Sequence, residues 1–214
     1  MNKVELKGSV LLAPLPVALV SCGTEKNANV ITIAWCGVAS SHPPKIYVSV
    51  RKERYSYEIL KSQREFCLNL VSEDLVPAAD WCGFRSGKDC DKFAEMGFEK
   101  QKATQVSCPM IAQSPVSLEC RVEQIVPLGS HDMFIAEVVA SHIDEDLIEE
   151  GRINFEKARL ATYQHGEYYR VGRHLARFGF SIQKKYVKLH GKGVSAKLST
   201  PLAKRKQNVK SVKK

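Results

Sequence analysis

Four side chains that suit an anion lie within six residues of one another: the cations Arg51, Lys52 and Arg54 and the hydroxyl group of Ser56. They follow a run of alternating apolar residues and precede an apolar-periodic segment, so they are predicted to lie between a strand and a helix. Helix-start amides, guanidinium groups and ammonium groups all bind phosphate oxygens. We therefore predict that at least two of these groups contact a phosphate; a solvated surface run is the alternative.

Two β-rich runs precede these cations and would position them. Residues 29–35 are rich in β-branched side chains, and residues 45–51 alternate apolar and polar side chains, as half-buried strands do. Such strands present one face to a core and the other to a ligand. The segment between them carries Ser40, Ser41 and the Pro43-Pro44 pair, and we predict a loop there.

A series of short motifs follows in order along the chain. These are Pro16-Val17-Ala18-Leu19-Val20, residues 29–35, Pro43-Pro44, Arg54-Tyr55-Ser56-Tyr57, Cys82-Gly83, Ser86-Gly87-Lys88-Asp89, Asp91-Lys92-Phe93, residues 129–134 and Phe178-Gly179-Phe180-Ser181. In order and spacing they resemble the flavin reductase-like, FMN-binding split-barrel family, in particular its flavoredoxin branch, over roughly residues 6–182. The chain differs from the family at Ser130, where an acidic residue usually precedes the histidine.

The resemblance implies a β-barrel homodimer that binds FMN near the subunit interface. A flavin needs a flat slot for its ring, donors for its edge atoms, and cations or amides for its phosphate. The alternatives are core packing for Trp35 and a plain surface turn around Lys88. The implied cofactor-binding residues are Asn29, Ile31, Thr32, Ile33, Ala34, Trp35, Ser49, Val50, Arg51, Lys52, Arg54, Tyr55, Ser56 and Lys88.

The resemblance places His131 beside the flavin, where a nicotinamide or another donor would approach. It implies a catalytic role in positioning or in proton supply. A histidine that only hydrogen-bonds its own turn is the alternative. A polar aromatic cluster follows late in the domain, and the resemblance allows it to approach the cofactor: Tyr163, His165, Tyr168, Tyr169, Arg170 and His174.

The composition is that of a globular protein whose basicity is confined to one end. The 214 residues are 44% hydrophobic and 26% charged, which is enough for one domain with a sizeable core. Residues 183–214 hold 11 of the 32 Lys and Arg residues and no Asp or Glu, so residues 1–182 carry 21 basic and 23 acidic side chains. We predict a flavin-binding domain over 1–182 and a mobile, solvated basic tail over 183–214; nucleic-acid binding by the tail is the less favoured alternative.

Seven cysteines occur without a C-x-x-C pair, which argues against a disulfide framework, a zinc site and an iron–sulfur site. Reduced thiols indicate the cytoplasm. Cys36 follows Trp35 and should point to the other strand face, as a packed thiol rather than a redox-active one. The Leu19-Val20-Ser21-Cys22 sequence mimics a lipoprotein cleavage site, but Pro14 and Pro16 interrupt the apolar run before it, and no run is long enough to span a membrane.

The pattern predicts a mainly β fold with short helices, arranged as an antiparallel barrel. The turn at residues 127–131 should join a long hairpin. Ser72 is predicted to cap the second helix. Strands are expected near residues 16–21, 29–35, 45–51, 66–71, 115–126 and 132–143, and helices near 55–62 and 74–81.

Two classes of function fit these features. The first is an FMN-dependent oxidoreductase, either an NADH- or NADPH-using flavin reductase or a flavoredoxin that passes electrons to an unidentified partner. The second is a non-catalytic flavin-binding or storage protein on the same fold. No G-x-G-x-x-G fingerprint is present, so a nicotinamide would have to stack directly on the flavin. No metal site is predicted.

Overall fold

The computed structural model describes residues 2–182. Chain contacts divide the protein into a unit of Met1–Gly172 and a second unit of Arg173–Lys214. The described part of the second unit contains a 3-10 helix at Phe180–Ile182. The predicted basic tail at 183–214 lies outside the described residues, and the predicted domain boundary at residue 182 stays a prediction.

Strands dominate the first unit. They are β1 Leu15–Pro16, β2 Ala18–Cys22, β3 Asn29–Ile33, β4 Cys36–Ser41, β5 Pro44–Arg51, β6 Glu65–Leu70, β7 Lys100–Gln101, β8 Met110–Ile111, β9 Val116–Pro127, β10 His131–Ile143, β11 Ile148–Glu149, β12 Arg152–Ile153, β13 Ala161–Gln164 and β14 Glu167–Arg170. The α-helices are α1 Tyr55–Gln63, α2 Val76–Phe84 and α3 Lys92–Glu95, with 3-10 helices at Glu73–Leu75 and Glu145–Leu147. The prediction of a mainly β fold with short helices is confirmed.

The main sheet has seven strands in the order β3-β2-β6-β9-β10-β5-β4, and every neighbouring pair is antiparallel. Strands β9 and β10 form the predicted long hairpin, with Asp132 opposite Pro127 at its closed end. Register shifts after Ile135 and Val138 bend this hairpin, since a bulge increases local twist. The hairpin thus places His131, the first residue of β10, opposite Arg51 at the end of β5.

The segment at residues 36–41 is a strand, so the prediction of a loop carrying Ser40 and Ser41 was wrong. Strand β4 pairs with β5, with Ser40 opposite Lys45 and Ser41 opposite Pro44. Strand β4 lies at the sheet edge, where polar side chains are tolerated, and Pro44 takes the first position of β5, where its missing N–H matters least. The short strands β13 and β14 were not predicted.

Two apolar clusters lie against the strands β2 and β3. One contains Val20 and Ile31 together with Tyr57 and Leu60 of α1. The other contains Leu19 and Val30 together with residues of α2 and α3. The alternation of side chains along a strand explains why neighbouring residues enter different clusters. Strand β3 is therefore held between α1 and α2.

The second predicted helix begins differently from the prediction. Ser72 lies at the N-cap position, but its side chain makes no capping hydrogen bond, and a 3-10 turn at Glu73–Leu75 precedes α2. Helix α2 then continues to Phe84, three residues beyond the predicted end, which brings Gly83 and Phe84 beside β3. Within residues 2–182, no helix is both long enough and apolar enough to cross a membrane.

Candidate functional site

A cleft of about 280 Å³ lies where β3, β5, the end of α2, the start of β10 and the β13–β14 hairpin meet. These elements are far apart in sequence, and sheet pairing brings them together. The residues that line the cleft are Val17, Ile31, Thr32, Ile33, Ala34, Trp35, Ser49, Val50, Arg51, Arg54, Asp80, Gly83, Phe84, His131, Tyr163 and Tyr168. Ten of the fifteen predicted site residues are in this lining.

One side of the cleft is an edge strand. Within residues 2–182, β3 pairs only with β2, so its other edge has backbone N–H and C=O groups that no second strand takes up. Thr32 fixes this strand to α2, because its hydroxyl group donates a hydrogen bond of 2.5 Å to the carbonyl oxygen of Ala79. The strand edge can therefore hydrogen-bond the edge of a ligand ring without a change in the fold.

The opposite side is aromatic. The rings of Trp35 and His131 are nearly parallel, with an interplanar angle of 16° and centroids 6.1 Å apart, and Tyr163 lies 6.3 Å from Trp35. Trp35 is 43% exposed, so it is not a core residue. An exposed indole ring beside an apolar strand presents a flat surface to a ligand.

His131 is the first residue of β10, opposite Arg51 of β5. Its Nδ1 lies 2.9 Å from the hydroxyl oxygen of Ser130. Burial and the neighbouring charge of Arg51 lower the pKa of His131, while Glu53 acts in the opposite direction. The imidazole ring is therefore neutral at neutral pH.

The two arginines of the predicted anion site line the cleft, but they are held differently. Arg54 donates a hydrogen bond of 2.5 Å to the carbonyl oxygen of Gly83, which ties the start of α1 to the end of α2. Arg51 is exposed, and its guanidinium group lies 3.2 Å from the carboxylate of Glu53. Arg54 is thus preorganised by its surroundings, whereas Arg51 is free to turn toward a ligand.

Lys52 is outside the cleft lining and forms an ion pair with a buried carboxylate instead. Its ammonium group lies 3.3 Å from Oδ1 of Asp132, and the hydroxyl group of Tyr57 donates a hydrogen bond of 2.6 Å to Oδ2 of the same carboxylate. The Tyr57 hydrogen bond and the Lys52 charge lower the pKa of Asp132. This network joins the start of α1 to β10 directly behind His131.

Four other predicted residues are also outside the lining. Asn29 and Ser56 are both buried and bound to each other, with 2.7 Å from the Asn29 amide nitrogen to the Ser56 hydroxyl oxygen. Tyr55 and Lys88 are exposed, and Lys88 lies in a turn after α2. Gly87 of that turn packs so closely on Asn29 that a Cβ atom there would lie 2.0 Å from its side-chain oxygen.

Lys92 is a buried cation whose role the sequence did not reveal. It is 3% exposed, and its ammonium group donates hydrogen bonds to the carbonyl oxygens of Val30, at 3.0 Å, and Cys82, at 2.7 Å. Burial lowers its pKa. The side chain fastens β3 to the end of α2 from behind the cleft. Its only signal in the sequence is the Asp91-Lys92-Phe93 motif.

Asp80, Gly83, Phe84, Tyr163 and Tyr168 complete the cleft. The Tyr168 hydroxyl group donates a hydrogen bond of 3.0 Å to Asp80, and burial together with this bond raises the pKa of Tyr168 to about 12. Tyr163 and Tyr168 came from the polar aromatic cluster noted in the sequence. Phe84 was missed because nothing in the pattern showed that α2 would extend to it. Asp80 lies within the predicted helix and was missed because its partner Tyr168 is distant in the chain.

All seven cysteines are free, and they lie within the described residues. Cys36 is buried, and burial raises the pKa of its thiol to about 12, as expected for a packed rather than a reactive cysteine. Among residues 2–182 there is no group of three or more His, Cys, Asp or Glu side chains that could hold a metal ion.

The cleft combines the unpaired edge of β3, the aromatic wall and the two arginines on an antiparallel β scaffold, a lining whose chemistry suits a flat, anionic ligand. Residues 11–172 match the flavin reductase like domain. The chain therefore belongs to the flavin reductase-like family, and the resemblance noted in the sequence is confirmed.

Solved structures of similar fold agree with this family. Flavoredoxin of Desulfovibrio vulgaris (Miyazaki F) is 28% identical and superposes with a TM-score of 0.80 over 85% of this chain and 100% of its own. Flavoredoxin from Methanosarcina acetivorans is 25% identical, with a TM-score of 0.78 over 86% of this chain and 100% of its own. The predicted split-barrel fold class is confirmed by these structures.

A relative of known activity also matches in sequence. The NADPH-flavin oxidoreductase of Streptomyces viridifaciens is 28% identical over 137 residues, which is 63% of this chain and 70% of that protein.

Proposed function

We propose that this protein is an FMN-dependent oxidoreductase of the flavin reductase and flavoredoxin type, which transfers electrons through FMN bound in the cleft. The observation that carries the proposal is that the family-matched region contains a cleft in which a free strand edge, an aromatic wall and two arginines meet. The flavoredoxin structures and the oxidoreductase relative support the same cofactor chemistry.

The residues present fit FMN in three respects. The free edge of β3 offers backbone donors and acceptors for a pyrimidine edge. Trp35 and Val17 offer flat or apolar surface to a ring system. Arg54 and Arg51 offer guanidinium groups to a terminal phosphate, in the fork geometry that binds phosphate well.

The size of the cleft argues that one subunit holds only part of the cofactor. A volume of about 280 Å³ lies just below the ~300–1,000 Å³ usual for small-molecule sites. We propose that the protein is a homodimer and that a second copy encloses the remainder. Light scattering should then report twice the 23.9 kDa chain mass.

Each residue of the site has a proposed task. Bound FMN would supply the electron-transfer chemistry, which the protein's own side chains cannot supply. Trp35 and the strand edge orient the ring, and Arg54 binds the phosphate. His131, neutral at neutral pH, can accept or donate a proton at its Nε2 atom while Ser130 holds Nδ1.

The electron donor that we propose is NADPH or NADH, since the Streptomyces relative is an NADPH-flavin oxidoreductase. Seven free thiols suit a reducing compartment, so we place the protein in the cytoplasm.

Absorbance and anaerobic titration test the proposal. The purified protein reconstituted with FMN should absorb between about 350 and 500 nm, and this band should bleach on addition of NADPH or NADH. Bleaching only by dithionite or by a reduced carrier protein would favour a flavoredoxin-type electron carrier over a nicotinamide-dependent reductase. Bound flavin that none of these reductants reduces would indicate a storage protein. A protein that does not bind FMN would refute the proposal.

A further inference from the structure

Two thiols touch in a part of the molecule away from the cleft. The Sγ atoms of Cys67 and Cys108 lie 3.5 Å apart, and the Cys67 thiol also donates to the carbonyl oxygen of Cys108 at 3.4 Å. Both residues are fully buried. A disulfide requires a sulfur–sulfur distance of about 2.05 Å, so a movement of roughly 1.5 Å would join them.

Cys108 belongs to a flap, defined as residues 102–109, which connects β7 to β8 without regular structure. Cys67 lies on β6 between Phe66 and Leu68, whose side chains enter the main core. Cys67 points the other way and packs with Ala103, Cys108 and Met110 in a small separate cluster. The flap is therefore the cover of Cys67, and irregular backbone lets it adjust by the distance that bonding needs.

Two carboxylates hold the flap in place. Buried Glu119 accepts hydrogen bonds from the backbone N–H groups of Thr104, Gln105 and Val106, at 2.8, 2.5 and 3.0 Å. Glu65 accepts from the N–H and hydroxyl groups of Ser107, at 3.0 and 2.8 Å. A segment held by local polar contacts and a small apolar cluster can open while the sheet stays folded.

We propose that Cys67 and Cys108 are a site of covalent oxidation, at which hydrogen peroxide forms an intramolecular disulfide that fastens the flap to β6. The Cys108 thiolate attacks one peroxide oxygen, the O–O bond breaks, and Cys108 sulfenic acid and water result. Cys67 then attacks the Cys108 sulfur, the S–O bond breaks, and the second water leaves. Two thiols lose two hydrogens and two electrons, and one peroxide molecule gains them.

The same contacts control the rate. Both thiols are buried under the closed flap, so peroxide cannot reach the Cys108 sulfur. The hydrogen bond with Cys108 and burial also raise the pKa of the Cys67 thiol well above its ordinary value, which slows its attack in the second step. Oxidation must therefore follow flap opening. Weakening the Glu65 contact, which is partly exposed, should speed the reaction without disturbing the core.

To test the proposal, the full-length protein is treated with hydrogen peroxide, and its peptides are then mapped by mass spectrometry under non-reducing conditions. We expect a mass decrease of about 2 Da and a linked peptide pair containing Cys67 and Cys108. Cys67→Ala and Cys108→Ala should each abolish the link, and Cys36→Ala, at a buried thiol elsewhere, should leave it intact. Glu65→Gln should raise the rate several-fold.

The folded oxidised protein gives a second measurement. The link closes the loop between Cys67 and Cys108 and so restricts the unfolded chain. The oxidised protein should therefore melt roughly 5–10 °C higher than the reduced protein, and a reductant should remove the difference. Sulfinic or sulfonic acids without a link, a link to Cys22 or Cys120 instead, or an unchanged rate in Glu65→Gln would each overturn the proposal. None of these outcomes depends on whether FMN binds.

Discussion

The indole ring of Trp35 and the imidazole ring of His131 stack nearly parallel in the aromatic wall of the cleft, with centroids 6.1 Å apart and planes within 16°. Strand β5 holds both of them. The Ser49 N–H group donates a hydrogen bond of 2.8 Å to the carbonyl oxygen of Trp35, and Arg51 lies opposite His131 in the sheet. The aromatic wall is thus fixed by backbone pairing, and its chemistry depends on the charges beside it.

The first prediction concerns those charges. Arg51→Ala should raise the pKa of His131 toward its ordinary value, because it removes a cation that opposes protonation of the imidazole ring. Glu53→Gln should lower the same pKa further, because it removes an anion that favours protonation. NMR titration of the ring protons, assigned with His131→Gln, measures both shifts. Shifts of the same sign in the two variants would contradict this account of the site.

A second prediction separates phosphate binding from ring binding. Arg54→Ala should weaken the affinity for FMN by about tenfold to a hundredfold and change riboflavin affinity much less, because riboflavin has no phosphate. Lys52→Ala is the matched control; its ammonium group is engaged with Asp132, so we expect a smaller loss of FMN affinity. Fluorescence titration of the wild type and the two variants with both flavins measures the six dissociation constants. Equal losses for FMN and riboflavin in Arg54→Ala would refute phosphate binding by Arg54.

The sequence predicted those parts of the site that lie on one regular element. Residues 31–35 and 49–51 line one cleft, because strand alternation is visible in the sequence and sheet pairing preserves it; their contact with the cofactor stays a prediction. The sequence could not show that Lys52 pairs with Asp132, or that Asn29 and Ser56 bind each other. Those contacts join elements that are distant in the chain, and local pattern carries no information about them.

Tertiary contacts also explain where the predicted secondary structure was wrong. Strand β4 was missed because Ser40, Ser41 and the prolines indicate a turn locally, whereas its position at the sheet edge permits them in a strand. Phe84 was missed because the end of α2 is set by its packing on β3, where Thr32 and Lys92 bind it. Tertiary contacts decided both cases.

A third prediction tests the turn that follows α2. Gly87→Ala should destabilise the protein by about 1–3 kcal/mol, because the new Cβ atom would meet the buried side chain of Asn29 and displace it from Ser56. Gly172→Ala is the control, since a Cβ atom there meets nothing within 4 Å. Urea unfolding of both variants measures the difference. Equal stability of the two would show that Asn29 moves freely.

A fourth prediction concerns acid stability. Burial opposes ionisation of Glu119, but hydrogen bonds from Thr104, Gln105 and His142 outweigh it and lower the pKa to about 2. The ordinary value for glutamate is about 4.3, so the ionised carboxylate stabilises the folded state above that pH. This contribution is lost as the pH falls from about 4.3 toward 2.

Unfolding measured as a function of pH tests this contribution. Glu119→Gln should be less stable than the wild type at pH 7, because a neutral amide binds the flap less strongly, and its stability should fall less steeply below pH 4.3. Glu25→Gln, at an exposed position, is the control for a generic loss of negative charge. If the stability of Glu119→Gln fell with pH as steeply as that of the wild type, other carboxylates would govern acid unfolding.

The last prediction concerns the basic C-terminal region. The family match ends at residue 172, and the cleft is lined by residues of the first unit, whereas 11 cations and no acidic side chain lie within 183–214. Deleting residues 191–214 should therefore leave the melting temperature and the FMN affinity nearly unchanged. It should remove most salt-dependent binding to DNA or an anionic resin, because such binding scales with the number of cations. Calorimetry, flavin titration and retention at two salt concentrations measure the three properties. Loss of flavin in the truncated protein would mean that the tail contributes to the site, and the predicted boundary at residue 182 would then be wrong.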